Sequence, residues 1–232
     1  FPTFVYQAVQ PMSDVVATFW AAASVWAALR ARRRPALAVL AGWAFAVGVL
    51  VRPTNVLLAV PLLFAVPRAL RAWGLFLAGA AGPAVVQIAY NVAAFGRPFT
   101  SGYGEIWTEL KPSYFPARFA HYIRWTAALA SPVVLLGWIG TAVNRRMPAR
   151  VRWLLLSWFG VFLLFYCFYF VYDTWWYTRF LLPGIPALIL GTLLVGRDLL
   201  ARLPLARVTR AALAVGALVL IIGIGFHFMR EN

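Results

Sequence analysis

The sequence is poor in acidic residues, lysine and cysteine, and this scarcity limits what the protein can be. Only 6 of its 232 residues are Asp or Glu, and 12% of the chain is charged, whereas 63% is hydrophobic. A soluble domain usually carries about 25% charged residues. With so few charges, the surface of a folded domain would be too apolar for water. These numbers exclude a soluble globular domain and predict helices that cross a membrane.

Several catalytic and metal-binding patterns are also missing. Cys167 is the only cysteine and lies in an apolar run, so there is no disulfide framework. His121 and His227 are far apart without Cys or His companions, which argues against a structural zinc site. Gly-Lys-Ser/Thr and Gly-x-Ser-x-Gly do not occur, and Gly102-Tyr103-Gly104 lacks the third glycine of a dinucleotide fingerprint. An enzyme driven by ATP or NAD is therefore disfavoured.

What the chain has in excess is arginine. It contains 21 Lys or Arg residues, and Lys111 is the only lysine. A chain this basic raises the question of nucleic-acid binding. The arginines, however, stand in short clusters between apolar runs and not along one polar face. The positive-inside rule accounts for that arrangement, and no nucleic-acid partner is expected.

Eight apolar segments follow one another along the chain. They cover roughly residues 15–29, 36–51, 55–66, 73–94, 125–143, 151–171, 180–196 and 211–228. A membrane span needs about 20 residues, and the segment at 55–66 is clearly shorter. We predict an all-α fold, a polytopic transmembrane helix bundle of about eight membrane segments that forms one domain over residues 1–232. Because the chain begins at Phe1 without a signal-peptide pattern, we expect further helices upstream.

The cations divide the loops into two sets. One set holds fourteen of them: Arg30, Arg32, Arg33, Arg34, Arg68, Arg71, Arg145, Arg146, Arg150, Arg152, Arg197, Arg202, Arg207 and Arg210. The other set holds seven: Arg52, Arg97, Lys111, Arg118, Arg124, Arg179 and Arg230. The richer set is predicted to face the cytoplasm. All acidic residues except Asp198 then face outside, so we expect any chemistry there, together with the long Gly- and Pro-containing outer loop at 95–124.

Arg52 lies in the turn of a predicted helical hairpin at 36–66. Pro53 lacks an N–H and biases Arg52 away from helical geometry, so the chain should turn at this point. The short second arm puts the turn below the outer membrane surface, where irregular backbone is tolerated only against protein or a water-filled cavity. Arg52 then faces a cavity and binds an anion. Alternatively, the turn is interfacial and Arg52 extends to the lipid headgroups.

Two further polar positions on the outer side allow more than one interpretation. Asp14 directly precedes an apolar run, so it is either a helix N-cap or a carboxylate at the mouth of the bundle that acts as a base or a metal ligand. Arg179 is predicted to start a helix, where a guanidinium adds to the positive potential and forms a phosphate site. The alternative for Arg179 is an ion pair with Asp173. The neighbouring Trp176 fits the aromatic belt of a membrane interface.

The order of these motifs resembles a known family. The run QPMSDVVATFW, a cationic cluster and then AGWAFAVGVLVRPTNVLLAVPLL are similar to the C-type superfamily of integral-membrane glycosyltransferases, in particular to the bacterial relatives of the protein O-mannosyltransferases and of the lipid A aminoarabinose transferase. YNVAAFGRPFTSGYG resembles their outer loop after a transmembrane helix, and WYTRFLLPGIPAL resembles a late helix start of that family. The resemblance extends over nearly the whole chain.

The resemblance implies an enzyme of the bacterial plasma membrane that moves a sugar from a polyprenyl-phosphate donor to a lipid, glycan or protein acceptor on the outer face. In such enzymes a carboxylate deprotonates the acceptor and cations hold the departing phosphate. Carried over by position, Asp14 is catalytic, and Arg179 and Arg52 bind the lipid phosphate. Tyr103, Glu105 and Trp176 are then candidates for substrate contact.

One departure from the family pattern concerns catalysis. The principal catalytic Asp of the family would lie upstream of Phe1, so we expect this chain to be inactive alone. Some relatives use a divalent metal, which leaves a metal cofactor open, although the sequence holds no complete ligand set. The alternative function is a secondary transporter or a flippase for lipid-linked sugars, because transporters also use broken helices and charges within the membrane. A non-catalytic scaffold would leave Arg52 and Arg179 without a role.

Overall fold

The chain is helical throughout the part that the computed structural model describes, namely residues 12–100 and 109–202 with a few single positions between 204 and 223. Its α-helices there are α1 (Ser13–Arg30), α2 (Leu37–Val51), α3 (Ala59–Ala65), α4 (Leu70–Phe95), α5 (Phe115–Ala130), α6 (Pro132–Val143), α7 (Ala149–Cys167) and α8 (Ile185–Leu200). The 3₁₀ segments Pro53–Leu58, Pro112–Tyr114 and Trp175–Gly184 directly precede α3, α5 and α8. Apart from one isolated bridge between Leu110 and Tyr169, these residues form no β-structure, and the predicted all-α class is confirmed for them.

Within the described residues, three or four stretches are long and apolar enough to be membrane spans. By length and hydropathy, α4, α7 and the continuous stretch Trp175–Leu200 are able to cross a membrane, and a fourth span exists if α5 and α6 count together. The 15 residues of α2 and the stretch Pro53–Ala65 are too short to qualify. The predicted segment at 211–228 lies largely outside the described residues. The apolar helices are compatible with a membrane protein, and the predicted number of eight segments is not confirmed.

The apolar segment predicted over 125–143 is not one continuous helix. α5 ends at Ala130, α6 begins at Pro132, and the two helices meet at 114°. Ser131 between them has a φ of 82°, and its hydroxyl accepts a hydrogen bond from the Val133 N–H at 3.3 Å. Because a proline disfavours helical geometry in the residue before it, the sequence Ser131-Pro132 ends one helix and starts the next.

Helix α2 packs against α1 on one side and against α4 on the other. The contact with α4 is made by backbone, since a Cβ atom on Gly42 would overlap the carbonyl of Phe76 and one on Gly79 would overlap the carbonyl of Val39. On the other side the Ser24 hydroxyl donates to the carbonyl of Ala41 at 2.9 Å. Small residues and hydroxyls of this kind allow close helix packing where no hydrophobic effect drives association.

The two arms of the predicted hairpin pack on different helices. The α-helix does end at Arg52, but α3 lies mainly against α7 and not along α2. At its far end, the guanidinium of Arg150 donates to the carbonyls of Phe64, Ala65 and Val66. These carbonyls have no intrahelical donors, so Arg150 satisfies the end of α3. The contact brings together the chain segments around Arg68 and around Arg150, which were predicted to lie on the same side of the membrane. That this side is the cytoplasmic one stays a prediction.

Candidate functional site

A cavity of about 410 Å³ opens at the end of the bundle where α1 begins and where α2 and α7 end. The 3₁₀ segment Trp175–Gly184 forms its remaining wall. Three residues that the sequence singled out, Asp14, Arg52 and Arg179, line this cavity although they are far apart in the chain. The other lining residues are Met12, Ser13, Pro53, Thr54, Phe165, Tyr166, Tyr169 and Phe180.

Asp14 and Arg52 form a buried ion pair. Their side chains are only 6% and 11% exposed, and the carboxylate Oδ1 contacts Nη1 of the guanidinium. Asp14 lies in the first turn of α1, whose N-cap is Met12 without a side-chain capping bond. The capping interpretation of Asp14 is therefore not what the structure shows. Its carboxylate is directed to the cavity and is neutralised there by Arg52.

Further contacts hold Arg52 in place. Its backbone is extended, with φ of −148° and ψ of 110°, because Pro53 starts the next segment. The guanidinium Nη2 donates to the Tyr166 hydroxyl at 3.2 Å and Nε donates to Thr54 Oγ1, also at 3.2 Å. The Tyr166 hydroxyl in turn donates to Thr54 Oγ1 at 2.9 Å. Its donors are thus directed to side chains of the protein, and the position of the turn relative to the membrane surface stays a prediction.

Arg179 reaches the same cavity without a carboxylate partner among the described residues. Its Nη1 lies 3.0 Å from the sulfur of Met12, and its guanidinium carbon lies 5.4 Å from the centre of the Phe180 ring. Its Nε atom is buried and has no hydrogen-bond partner within the described ranges. A thioether is only a weak acceptor. The ion pair of Asp14 and Arg52 is neutral, so Arg179 gives the cavity wall a net positive charge that suits an anion.

The sequence predicted that Arg179 starts a helix, and the structure corrects the position of that start. The residue lies in the middle of the 3₁₀ segment Trp175–Gly184, and α8 begins only at Ile185. Pro183 and Pro186 lack N–H donors, which fits a tight 3₁₀ start in place of an α-helical first turn. The helix-dipole contribution to a phosphate site therefore does not apply at this position. The phosphate-site hypothesis then rests on two observations, that Arg179 lines the cavity and that it has no carboxylate partner among the described residues.

Asp173, the alternative partner of Arg179, is engaged elsewhere. Its Oδ1 accepts a hydrogen bond from Nη2 of Arg124 at 2.7 Å and lies 2.8 Å from Nδ1 of the buried His121. The hydrogen bonds from His121 and Arg124 lower the pKa of Asp173 to about 2. Asp173 therefore fixes the start of the Trp175–Gly184 segment to α5 and leaves Arg179 free to face the cavity.

The low pKa of Asp173 predicts a pH dependence. A carboxylate whose pKa is lower in the folded than in the unfolded state adds stability above the unfolded value of about 4 and loses it as the pH falls towards the folded value. We expect Asp173→Asn to remove a component of thermal stability that the wild type loses between about pH 4 and pH 2. Thermal unfolding in detergent across this window measures it. Glu109→Gln, at an exposed carboxylate outside the ion pairs of the described residues, should leave the curve unchanged.

The remaining predicted site residues do not join the cavity. Trp176 is 47% exposed and is not among the lining residues. Tyr103 and Glu105 lie outside the described residues, so their predicted substrate contacts remain predictions. No group of three or more His, Cys, Asp or Glu side chains within the described part of the chain is arranged to hold a metal ion.

Sequence reasoning missed the polar and aromatic residues that complete the site. Tyr166 carries a hydroxyl within the apolar run of α7, and its ring stacks on Phe180 with centroids 4.9 Å apart. A buried tyrosine hydroxyl usually requires a hydrogen-bond partner, and this was the signal available for Tyr166. Thr54 gave no such signal. It follows Pro53 in a turn, where a threonine is common for local reasons.

Comparison with known proteins adds no relative. No protein-family model matches the chain, and neither a curated protein nor a solved structure matches it. The resemblance to membrane glycosyltransferases thus rests on the motifs of the sequence.

Proposed function

We propose that this protein transfers a sugar from a polyprenyl-phosphate donor to an acceptor at the membrane face on which the cavity opens. The observation that carries the proposal is the Arg179 guanidinium, which lines the cavity without a carboxylate partner among the described residues, while the carboxylate of Asp14, paired with Arg52, lines the same cavity. A cation and a carboxylate within one cavity are two of the groups that this transfer uses. As part of the proposal, the protein resides in the bacterial plasma membrane.

Asp14 and the arginines divide the chemistry between them. The acceptor hydroxyl gives its proton to a carboxylate while its oxygen forms a bond to the anomeric carbon. The bond between that carbon and the phosphate oxygen breaks, and the lipid phosphate leaves as an anion with inversion at the sugar. In the structure Asp14 is neutralised by Arg52, so Asp14 becomes a competent base only when Arg52 transfers its contact to the incoming phosphate. Arg179, which has no carboxylate partner among the described residues, binds the phosphate first.

Arg179→Ala in the full-length protein tests the assignment. Removing one donor to a developing anion typically costs about 10²–10³ in rate, and we expect transfer from a polyprenyl-phosphate sugar to fall by at least about 10². Arg179→Lys keeps the charge but loses the planar fork and should recover only part of the rate. The exposed Arg97→Ala, on the same predicted side but outside the cavity, is the matched control. Wild-type transfer by Arg179→Ala in well-inserted protein contradicts the proposal.

A secondary transporter or flippase for lipid-linked sugars is the second candidate, and the broken helix at Arg52 favours it. Transporters place charged groups where helices are interrupted inside the membrane, as at the buried pair of Asp14 and Arg52. Proteoliposomes with a lipid-linked sugar in one leaflet separate the two functions. A flippase moves the intact donor across the bilayer without an acceptor, whereas a transferase releases the polyprenyl phosphate only when an acceptor is present.

A further inference from the structure

A second cationic site lies at the opposite end of the bundle, in the loop between α6 and α7. There a groove of about 440 Å³ separates the last turn of α6 from the first turns of α7. Its lining residues are Ala142, Val143, Arg145, Arg152, Trp153 and Leu156. Two guanidiniums, an indole and an apolar floor thus share one open groove, at the ends of two apolar helices.

The two guanidiniums have no charged or hydrogen-bonding partner among the described residues. Neither Arg145 nor Arg152 has an ion pair or a side-chain hydrogen bond in that part of the chain. Asp198 is the acidic residue predicted for this side of the membrane. It accepts hydrogen bonds from Asn144 at 2.9 Å and from Arg197 at 2.9 and 3.1 Å. The acidic partner available at this end is therefore already occupied.

The loop that presents these cations is fixed by its own hydrogen bonds. The Asn144 side chain donates to Asp198 on α8 and accepts from the backbone N–H of Arg146 at 3.1 Å. Met147, a residue of the same loop, is buried in the core. Because the loop is anchored to α8 on one side and to the core on the other, Arg145 reaches the groove without a large ordering cost.

The apolar part of the groove is exposed to its surroundings. Val143 is 72% exposed and Trp153 is 53% exposed. An indole at this level, between an apolar floor and charged groups, is typical of a residue at the boundary between acyl chains and headgroups. The groove therefore offers an apolar surface on its helical side and two cations on its loop side.

We propose that this groove binds an anionic glycerophospholipid of the surrounding leaflet, with the phosphate between Arg145 and Arg152 and an acyl chain along Val143 and Leu156. Basic pockets between helix ends bind anionic headgroups in this way, and each Lys or Arg near the surface adds about a factor of 5 in affinity. Because two arginines line the groove, an anionic lipid should bind more tightly than a neutral or cationic one. The proposal is independent of the sugar-transfer cavity at the other end of the bundle.

Native mass spectrometry of the full-length protein, titrated with phosphatidylglycerol or phosphatidylcholine, tests the site. Arg145→Gln with Arg152→Gln should weaken phosphatidylglycerol binding by about 30-fold and leave phosphatidylcholine binding unchanged. Arg33→Gln with Arg34→Gln removes two exposed arginines from another loop of the same predicted side and is the matched control. An equal loss in both pairs shows a general surface effect and contradicts a site.

A second measurement covers the case in which the double variant does not fold. Brominated acyl chains quench indole fluorescence on contact, and the difference between wild type and Trp153→Phe isolates the signal of Trp153. Brominated phosphatidylglycerol should quench that signal at a lower fraction in the bilayer than brominated phosphatidylcholine does. Equal quenching by the two lipids overturns the proposal.

Discussion

Asp14→Ala should lower the free energy of unfolding by about 3–5 kcal/mol, because it leaves the Arg52 guanidinium buried without its counter-charge. Both side chains are almost fully buried, so solvent does not compensate for the loss as it does at a surface ion pair. Tyr166 and Thr54 retain their hydrogen bonds to Arg52, but neither group supplies negative charge. Thermal or denaturant unfolding in detergent micelles measures the change.

The double variant Asp14→Ala with Arg52→Leu shows whether the loss arises from the unpaired charge. Replacing a whole buried ion pair by apolar groups is often close to neutral, so the double variant should be more stable than Asp14→Ala alone. Additive effects of the two substitutions would show that the pair is not coupled. Sugar transfer, in contrast, should be lost in both variants, since each removes the proposed base.

Gly79→Ala should separate α4 from α2 and destabilise the protein by about 3 kcal/mol, at the upper end of what overpacking costs. The added Cβ atom would overlap the carbonyl of Val39, which is backbone and cannot move aside as a flexible side chain does. Gly42, on the facing helix, stands in the same relation to the carbonyl of Phe76. The expected loss of stability therefore arises from the close approach of the α2 and α4 backbones, to which both glycines contribute.

Gly74→Ala on the same helix is the matched control. Outside its own helix, no atom lies within 4 Å of the position that its Cβ would take, so the substitution meets mainly helix propensity, which favours alanine by up to about 1 kcal/mol. Unfolding of both variants in the same detergent compares them directly. Equal stability of Gly79→Ala and Gly74→Ala would mean that α2 and α4 are not in close contact in the protein.

The sequence predicted which residues meet in the cavity better than it predicted how the helices run. Asp14, Arg52 and Arg179 were selected because charges in so apolar a chain need a reason, and the structure brings the three together. The number of spans could not be obtained in the same way. Hydropathy does not distinguish a helix that crosses a membrane from a shorter one packed on its neighbours, such as α2, and length decides only the clear cases.

Local sequence could not predict which charged side chains form ion pairs with one another. Asp173 is six residues from Arg179 and was the nearest carboxylate in the chain, yet it pairs with Arg124 of α5, while Arg52 pairs with Asp14 of α1. Both partners come from helices that are distant in sequence. The packing of the helices determines which charges pair, and local spacing in the sequence does not encode that packing. The break at Ser131, by comparison, has a local signal, because Pro132 disfavours helical geometry in the residue before it.

The wall of the cavity that carries Arg179 is also fixed to the bundle away from the lining residues. The indole N–H of Trp158 donates to the carbonyl of Pro183 at 2.8 Å, and Trp158 precedes Tyr166 on α7 by eight residues, or about 12 Å along the helix axis. Together with the stacking of Phe180 on Tyr166, this bond joins the Trp175–Gly184 segment to α7 at two levels. A substrate that separated Arg179 from Tyr166 would therefore have to disturb contacts in the interior of the bundle as well as those at the opening.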